Sequence, residues 1–177
     1  MRNIYLIGFM GSGKTSTGRA LAKELGLPFT DTDLMVGKLA GFPAADFIRK
    51  RGFKAFRRAE NSVFKMVVRS GGSVIALGGG IMPTRVRRPE LKKSGVTVYL
   101  ACAETVLFKR LIEVSAGRPL LGSGPEQIRR AIARLLKKRR PYYEKADLKL
   151  NTSGLTPEAA AVKIGKLLGK YEKRLRQ

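Results

Sequence analysis

Short apolar runs alternate along this chain with longer segments in which apolar residues recur every three or four positions. The apolar runs predict strands over residues 4–7, 28–30, 73–77, 96–101 and 148–151. The amphipathic segments predict helices over 14–25, 44–51, 53–70, 84–93, 103–113 and 126–139, and a last helix from about residue 157. Helices between continuous apolar strands are typical of a parallel sheet covered on both faces. The pattern therefore predicts the α/β class.

One domain is expected to account for the whole chain. No repeat, low-complexity linker or change in composition marks a boundary within residues 1–177, and 44% of the residues are hydrophobic, which is enough for a buried core. Four residues at helical spacing are expected in that core: Phe47, Phe64, Met66 and Val67. The segment 115–125 is rich in Gly, Pro and Ser and predicts a surface flap.

The residue types that are scarce or missing narrow the chemistry. Cys102 is the only cysteine, which excludes an intramolecular disulfide, and its place at a strand end favours packing. Because histidine is absent, a proton acceptor has to be a carboxylate, a lysine, a tyrosine or water. No stretch approaches the roughly 20 apolar residues of a membrane helix, and the run at 4–7 is too short for a signal peptide. We therefore expect a cytoplasmic protein.

The chain is strongly basic. Its 36 Lys and Arg against 13 Asp and Glu give a net charge of +23. Such a field attracts anionic substrates, and it also attracts nucleic acid without specificity and with strong salt dependence. No helix-turn-helix, RNA-recognition or zinc signature accompanies the charge, so a solvated basic surface is the simpler interpretation.

Residues 8–15 read Gly-Phe-Met-Gly-Ser-Gly-Lys-Thr and match the phosphate-binding pattern G-x-x-x-x-G-K-[ST] at every fixed position. The loop follows a predicted strand and opens a predicted helix, so backbone N–H groups and the helix dipole can both face a phosphate. Lys14 is expected on the β- and γ-phosphate oxygens, and the Thr15 hydroxyl on Mg²⁺. The nucleotide-binding residues expected in this segment are Gly11, Ser12, Gly13, Lys14, Thr15 and Ser16.

Two further groups of residues follow predicted strands. Asp31 and Asp33 are two positions apart, so their side chains can project from the same side of an extended backbone. The triple glycine at 78–80 follows the third strand. Open parallel sheets bind ligands at the carboxyl ends of their strands, where these groups are expected.

Five motifs together resemble the shikimate kinase family in their order and spacing. They are FTDTD at 29–33, FRRAE at 56–60, GGG at 78–80, RPLL at 118–121 and RRPYY at 139–143. The resemblance covers about residues 3–150. It implies a three-layer α/β/α P-loop kinase fold with a mobile lid at about 113–125 and a substrate-binding helical segment at about 33–61. The five-stranded parallel sheet is expected in the strand order 2-3-1-4-5.

The resemblance also implies residue roles at the strand ends. Asp31 would support Mg²⁺ through its water shell, while Asp33 would contact the substrate hydroxyls and serve as the base. The glycines would form a floor under the sugar-like ring, with Gly79 the closest contact of Gly78, Gly79 and Gly80. Phe56 is expected to border the substrate.

Two arginines would hold the substrate carboxylate, for which a guanidinium fork is well suited. The family spacing favours Arg57 and Arg139 over their neighbours Arg58 and Arg140. Glu60 follows Arg57 by three residues on a predicted helix, so the two share a face and Glu60 could hold the arginine in place.

On the nucleotide side, the resemblance implies that Arg118 swings over the phosphates as the lid closes. The adenine-side loop at 151–157 lacks an arginine that some relatives carry, so Arg110 and Ser153 are the expected substitutes. The chain also has no aspartate after the strand at 96–101, which leaves metal support to Asp31 and Asp33.

The expected activity is transfer of the γ-phosphoryl group of ATP to the 3-hydroxyl of shikimate, with Mg²⁺ as cofactor and a monomeric enzyme that binds neither membrane nor specific nucleic acid. A kinase acting on gluconate or on a nucleoside monophosphate is one alternative. A non-catalytic relative that binds nucleic acid is another, motivated by the basic run at 129–140.

Overall fold

The structure is a computed structural model that describes residues 2–81, 84, 86–113, 120–122 and 124–176. The strands within this part of the chain are β1 (Asn3–Ile7), β2 (Phe29–Asp31), β3 (Val74–Ala76), β4 (Gly95–Ala101) and β5 (Leu148–Asn151). The helices are α1 (Lys14–Leu25), α2 (Thr32–Ala40), α3 (Ala44–Arg69), α4 (Arg88–Ser94), α5 (Glu104–Ile112), α6 (Pro125–Tyr143) and α7 (Pro157–Leu175).

The strands form one parallel sheet in the order β2-β3-β1-β4-β5, which confirms the predicted class and strand order. From β1 the chain first builds β2 and β3 on one side and then β4 and β5 on the other. A ligand crevice is expected where the direction of winding changes, outside the carboxyl end of β1. The segment that leaves β1 at this point is the phosphate-binding loop.

Every residue of β1 is buried, because the core lies on both faces of the sheet. Tyr5 and Ile7 pack with α3 in one cluster, whereas Ile4 and Leu6 pack with α1 and α7 in another. Successive side chains of a strand point to opposite faces, so a continuous apolar run is what a central strand of a three-layer fold requires. A third apolar cluster joins α5 to α6 beside the phosphate loop.

Helix α3 contains a break at Gly52, where φ is 77° and ψ is 164°. The two helices predicted at 44–51 and 53–70 are therefore real segments on either side of this residue. Residues with a β-carbon rarely adopt such a backbone, which makes glycine the natural residue at the break. The break reorients the chain just before the Arg57 turn of the helix.

The elements and the core differ from the predictions at a few points. The apolar pattern did not indicate helix α2 because that pattern is short, although the family resemblance implied a helical segment from about residue 33. Asp31 caps α2 by accepting from the backbone N–H groups of its first turn. Helix α4 begins at Arg88 and not at residue 84. Helix α6 does not end at 139 but continues through Pro141, because its buried face extends to Tyr143. Met66 is half exposed and does not belong to the core, unlike Phe64 and Val67.

None of the helices in the described ranges is both long enough and apolar enough to cross a membrane.

Candidate active site

A cleft of about 660 Å³ opens at the carboxyl edge of the sheet, beside β1 and α1. It gathers predicted site residues from segments that are far apart in the chain. Those that line it are Gly11, Ser12, Gly13, Lys14, Thr15, Ser16, Asp31, Asp33, Arg57, Gly78, Gly79, Gly80, Arg110 and Arg139. The phosphate loop and the residues predicted for a second substrate thus share one cavity.

The side chain of Lys14 lies across the backbone of the phosphate loop. Lys14 Nζ donates to the carbonyl oxygens of Gly8 and Phe9, each at 3.0 Å. Helix α1 begins at Lys14 without a side-chain cap, so the first N–H groups of the helix remain available to an anion. The loop therefore presents a cation and a helix N-terminus to the same part of the cleft.

Thr15 and Asp31 lie side by side at the cleft wall. Thr15 Oγ1 donates to Asp31 Oδ2 at 2.6 Å, while Asp31 Oδ1 accepts from the backbone N–H of Asp33 at 2.9 Å. Oxygen donors of this kind suit Mg²⁺, which keeps several waters and takes further ligands from phosphates. No cluster of three or more His, Cys, Asp and Glu side chains that could hold a metal ion occurs among the residues described.

The triple glycine faces a different polar side chain at each position. A β-carbon at Gly78 would collide with the Asp33 carboxylate, and one at Gly79 would lie 3.1 Å from Arg139 Nη1. A β-carbon at Gly80 would collide with Arg57 and Glu60. The three glycines therefore allow these side chains, which come from three separate segments, to lie against one short stretch of backbone.

Arg57 is oriented by Glu60. Its Nη1 donates to Glu60 Oε2 in a close ion pair, which confirms the predicted contact. The Glu60 side chain is only 1% exposed, and burial raises the pKa of its carboxyl, although the positive charge of Arg57 opposes the rise. Arg57 and the neighbouring Arg58 are both exposed, but only Arg57 lines the cleft.

Arg139 differs sharply from the arginine beside it. Arg139 is buried at 6% exposure against Gly79, and its Nη1 has no hydrogen-bond partner among the described residues. Arg140 points outward and pairs with Glu144. A buried cation with an unused donor is costly unless an anion binds it. The geometry thus favours Arg139 over Arg140 for holding an anionic group.

Tyr143 packs one turn beyond Arg139 on α6, and its ring stacks on that of Tyr99. Burial raises the pKa of the Tyr143 hydroxyl, and the nearby charge of Arg139 opposes that rise. This aromatic pair anchors the end of α6 against the sheet, which fixes the part of the helix that carries Arg139.

Only some of the residues predicted to contact the adenine base lie at the cleft. Arg110 Nη1 donates to the carbonyl of Gly11 at 2.9 Å and lines the cleft. The loop after β5 contributes Thr152, Leu155 and Pro157 to the lining, whereas Ser153 Oγ accepts from the backbone N–H of Ala103. Arg118 and most of the predicted lid lie outside the described residues.

Sequence reasoning missed Thr32, which is fully buried between the two aspartates. Its Oγ1 accepts from the backbone N–H of Gly78 at 2.7 Å and so ties the start of α2 to the triple glycine. The expectation that Asp31 and Asp33 project from one side of an extended backbone was wrong, because helix α2 begins at Thr32; both aspartates nevertheless line the cleft. The apolar wall from α3 was also largely missed; it comprises Ala44, Ala45, Ile48 and Phe53 together with the predicted Phe56.

Comparison with known proteins gives matches along nearly the whole chain. A family model described as shikimate kinase matches residues 10–168. The shikimate kinase of Thermodesulfovibrio yellowstonii is 44% identical over 165 residues, which are 93% of each chain. The structure of shikimate kinase from Acinetobacter baumannii in complex with shikimate superposes with a TM-score of 0.89 at 33% identity, covering 96% of this chain and 94% of that one. The structure of shikimate kinase from Aquifex aeolicus superposes with a TM-score of 0.81 at 34% identity, covering 94% of this chain and 96% of that one.

Proposed function

The chain belongs to the shikimate kinase family, and we propose that it transfers the γ-phosphoryl group of ATP to the 3-hydroxyl of shikimate, giving shikimate 3-phosphate. The observation that carries this proposal is the convergence of Asp33, Arg57 and Arg139 on the triple glycine, inside the cleft that also holds the phosphate loop. A carboxylated ring with hydroxyl groups matches the charges of that arrangement.

The acceptor carboxylate is assigned to the two guanidinium groups. Arg139 offers a buried donor without a partner, and Arg57 is held at the other end of the triple glycine by Glu60. Charge-assisted bonds from two directions fix both the position and the orientation of a planar carboxylate. The ring then lies over Gly79, with its hydroxyls toward Asp33.

Asp33 is assigned to the reacting hydroxyl. It lies against Gly78 at the start of α2, and its backbone N–H is held by Asp31, which places it between the triple glycine and Thr15. We assign it to orient the 3-hydroxyl and to accept its proton late in the transfer, since phosphoryl transfer depends mainly on positioning and charge neutralisation.

Nucleotide binding is assigned to the loop residues Gly11, Ser12, Gly13, Lys14, Thr15 and Ser16, with Arg110 and the backbone near Ser153 on the base side. Thr15 and Asp31 would hold Mg²⁺, Thr15 directly and Asp31 through water. When bound, Mg²⁺ supplies charge neutralisation at the β- and γ-phosphates. The assignment of Arg118 to the transferring phosphoryl group rests on the family resemblance alone.

Product formation tests the proposal. The protein is incubated with Mg·ATP and each of shikimate, gluconate and a nucleoside monophosphate, and both ADP and the phosphorylated acceptor are quantified. We expect one ADP per phosphorylated shikimate, with the phosphate on the 3-hydroxyl, and no product from the other two acceptors. Turnover of gluconate or of the nucleotide in preference to shikimate would contradict the proposal, as would binding of ATP without transfer.

A further inference from the structure

Arg87 lies just outside the cleft and immediately before α4. Its Nη1 donates to the carbonyl oxygen of Gly80 at 3.0 Å, and its guanidinium lies over the ring of Phe64, 5.2 Å from the ring centroid. Phe64 is a core residue one turn after Glu60 on α3. Arg87 therefore contacts both the triple glycine and the helix that presents Arg57, and it is not among the residues that line the cleft.

The contact to Gly80 closes a turn that is already partly fixed. The backbone N–H of Ile81 donates to the carbonyl of Gly78 at 3.0 Å, which defines a four-residue turn with Gly79 and Gly80 at its centre. Glycines at both central positions leave the turn with more conformational freedom than other residues would. A charge-assisted bond from Arg87 to the carbonyl of Gly80 restricts that freedom at the last glycine.

The charge of Arg87 also acts on Glu60. Glu60 Oε2 accepts from Arg57, whereas Oε1 is buried without a hydrogen-bond partner among the described residues. Burial raises the pKa of Glu60, the positive charges of Arg57 and Arg87 oppose the rise, and the negative charge of Asp33 adds to it. Arg87 and Glu60 also meet at the same glycine, because Arg87 bonds to the carbonyl of Gly80 and a β-carbon at Gly80 would collide with Glu60 Oε1. The positive charge of Arg87 thus acts on Glu60 in the same direction as that of Arg57.

We propose that Arg87 is a positioning residue for the acceptor, which holds the triple-glycine turn through Gly80 and stabilises the Glu60 carboxylate that orients Arg57. The inference rests on the proposed function, because it assigns Arg87 to the acceptor half of that site. Arg87 touches neither substrate. Its effect is confined to the acceptor half, because it bonds to Gly80 and not to the phosphate loop.

The test compares Arg87→Leu and Arg87→Lys with Lys93→Leu, which removes the same charge from an exposed position on the helix that follows Arg87. Steady-state kinetics give KM for shikimate, KM for ATP and kcat. For Arg87→Leu we expect KM for shikimate to rise about tenfold, with KM for ATP changed by less than about twofold, because the interaction acts through contacting residues. Arg87→Lys keeps the positive charge but lacks the guanidinium fork, so its KM for shikimate should lie between those of Arg87→Leu and wild type. Lys93→Leu should match wild type.

Two further readouts separate this role from a general loss of structure. In Arg87→Leu, KM for shikimate should begin to rise at a higher pH than in wild type as the pH is lowered, because Glu60 has lost a nearby cation and takes up a proton sooner. In a Glu60→Gln background, Arg87→Leu should raise KM for shikimate less than it does alone. Arg87→Lys gives the same comparison if the leucine variant does not fold.

An unchanged KM for shikimate in Arg87→Leu would overturn the inference, as would equal changes in both KM values or a full-sized effect in the Glu60→Gln background. The wild-type arm keeps this outcome distinct from failure of the proposed function. If wild type does not phosphorylate shikimate, the proposed function fails; if it does and Arg87→Leu behaves like Lys93→Leu, only the role of Arg87 fails.

Discussion

The nucleotide side and the acceptor side of the cleft are built from very different lengths of chain. The proposed nucleotide side consists mainly of the phosphate-binding loop, eight consecutive residues at 8–15, most of which line the cleft. The acceptor side needs Asp33, Arg57, the triple glycine and Arg139, which span more than 100 positions. Local geometry builds the first half, whereas only the complete fold builds the second.

Because the two sides are built differently, substitutions on them are expected to disturb different parts of the site. A change at Lys14 is expected to act on nucleotide binding and on transfer, because its amine donates to the carbonyl oxygens of Gly8 and Phe9 in the same loop. A change on the acceptor side is transmitted to neighbours from other segments, because each glycine lies against a side chain from a distant element. Variants on the two sides are therefore expected to affect different kinetic constants.

On the nucleotide side, the largest effect is expected from Lys14→Ala. Lys14 spans the phosphate loop and lines the cleft, and in the proposed function its amine donates to the transferring group. Loss of one such donor lowers kcat by about 10²- to 10³-fold. Calorimetric titration should show weaker ATP binding but unchanged shikimate binding. Equally weakened binding of ATP and of shikimate would contradict the separation of the cleft into a nucleotide side and an acceptor side.

Asp33→Asn should lower kcat by about 10²- to 10⁴-fold, which is the usual contribution of a positioned proton acceptor. The amide keeps the shape of the side chain beside Gly78 but accepts a proton poorly. ATP affinity, measured by equilibrium titration, should stay within about threefold of wild type since Lys14 and the loop are unaltered. Near-normal turnover would remove the base assignment.

Arg139→Leu and Arg140→Leu form a matched pair of neighbours. Arg139 is buried with an unused donor in the cleft, whereas Arg140 is largely exposed and pairs with Glu144. Loss of a hydrogen bond to a charged group costs about 1.5–3 kcal/mol, so KM for shikimate should rise about 10- to 100-fold in Arg139→Leu. In Arg140→Leu it should change less than about twofold. The reverse order would place the acceptor elsewhere.

Gly79→Ala tests the close approach of Arg139 to the backbone of the triple glycine. The added methyl group would lie 3.1 Å from Arg139 Nη1, so the guanidinium has to shift by a few tenths of an ångström. We expect KM for shikimate to rise about tenfold, since small displacements at a positioned contact are costly. The control is Gly169→Ala on α7, where an added β-carbon meets no atom within 4 Å. It should leave kinetics unchanged and raise Tm by about 1–4 °C. Equal kinetics in both variants would contradict the proposed contact.

The smallest effect concerns stability. Burial raises the pKa of Glu60 above its value of 4.5 in the unfolded chain, so ionising Glu60 costs more in the folded state. Its contribution to stability is fully present below pH 4.5 and is lost as the pH rises through the folded pKa. Glu60→Gln does not ionise, so its Tm should improve relative to wild type across that interval. Thermal scans from pH 4 upward measure this, and a Tm difference that does not vary with pH would contradict it.

Sequence reasoning predicted the phosphate loop and its place between β1 and α1 because the signals for this segment are contiguous. A glycine loop between an apolar strand and an amphipathic helix carries its own geometry, and the sheet class follows from the apolar runs. On the acceptor side, the arginines stand among 36 basic residues, and nothing local distinguishes Arg139 from Arg140. Family spacing was needed to choose between them; in the structure Arg139 is the one that is buried against Gly79.

The residues that sequence reasoning missed share one property: they act through tertiary contacts. Thr32 binds the backbone of Gly78, and Arg87 binds that of Gly80, across 46 and 7 positions of chain. Neither contact has a local pattern. The end of α6 was misjudged for a related reason, because the packing of Tyr143 continues the helix through Pro141. Local propensity favoured a stop there, and tertiary packing outweighed it.

The most direct test of the acceptor site compares shikimate with its methyl ester, which lacks the carboxylate charge. The quantity to measure is the ratio of kcat/KM for the two acceptors, in wild type and in Arg139→Leu. We predict that wild type prefers shikimate by about 100-fold or more and that the preference falls to about tenfold or less in the variant, because the carboxylate has lost one of its two guanidinium partners. A preference of the same size in both proteins would show that Arg139 does not hold the carboxylate, and the proposed acceptor site would then be wrong.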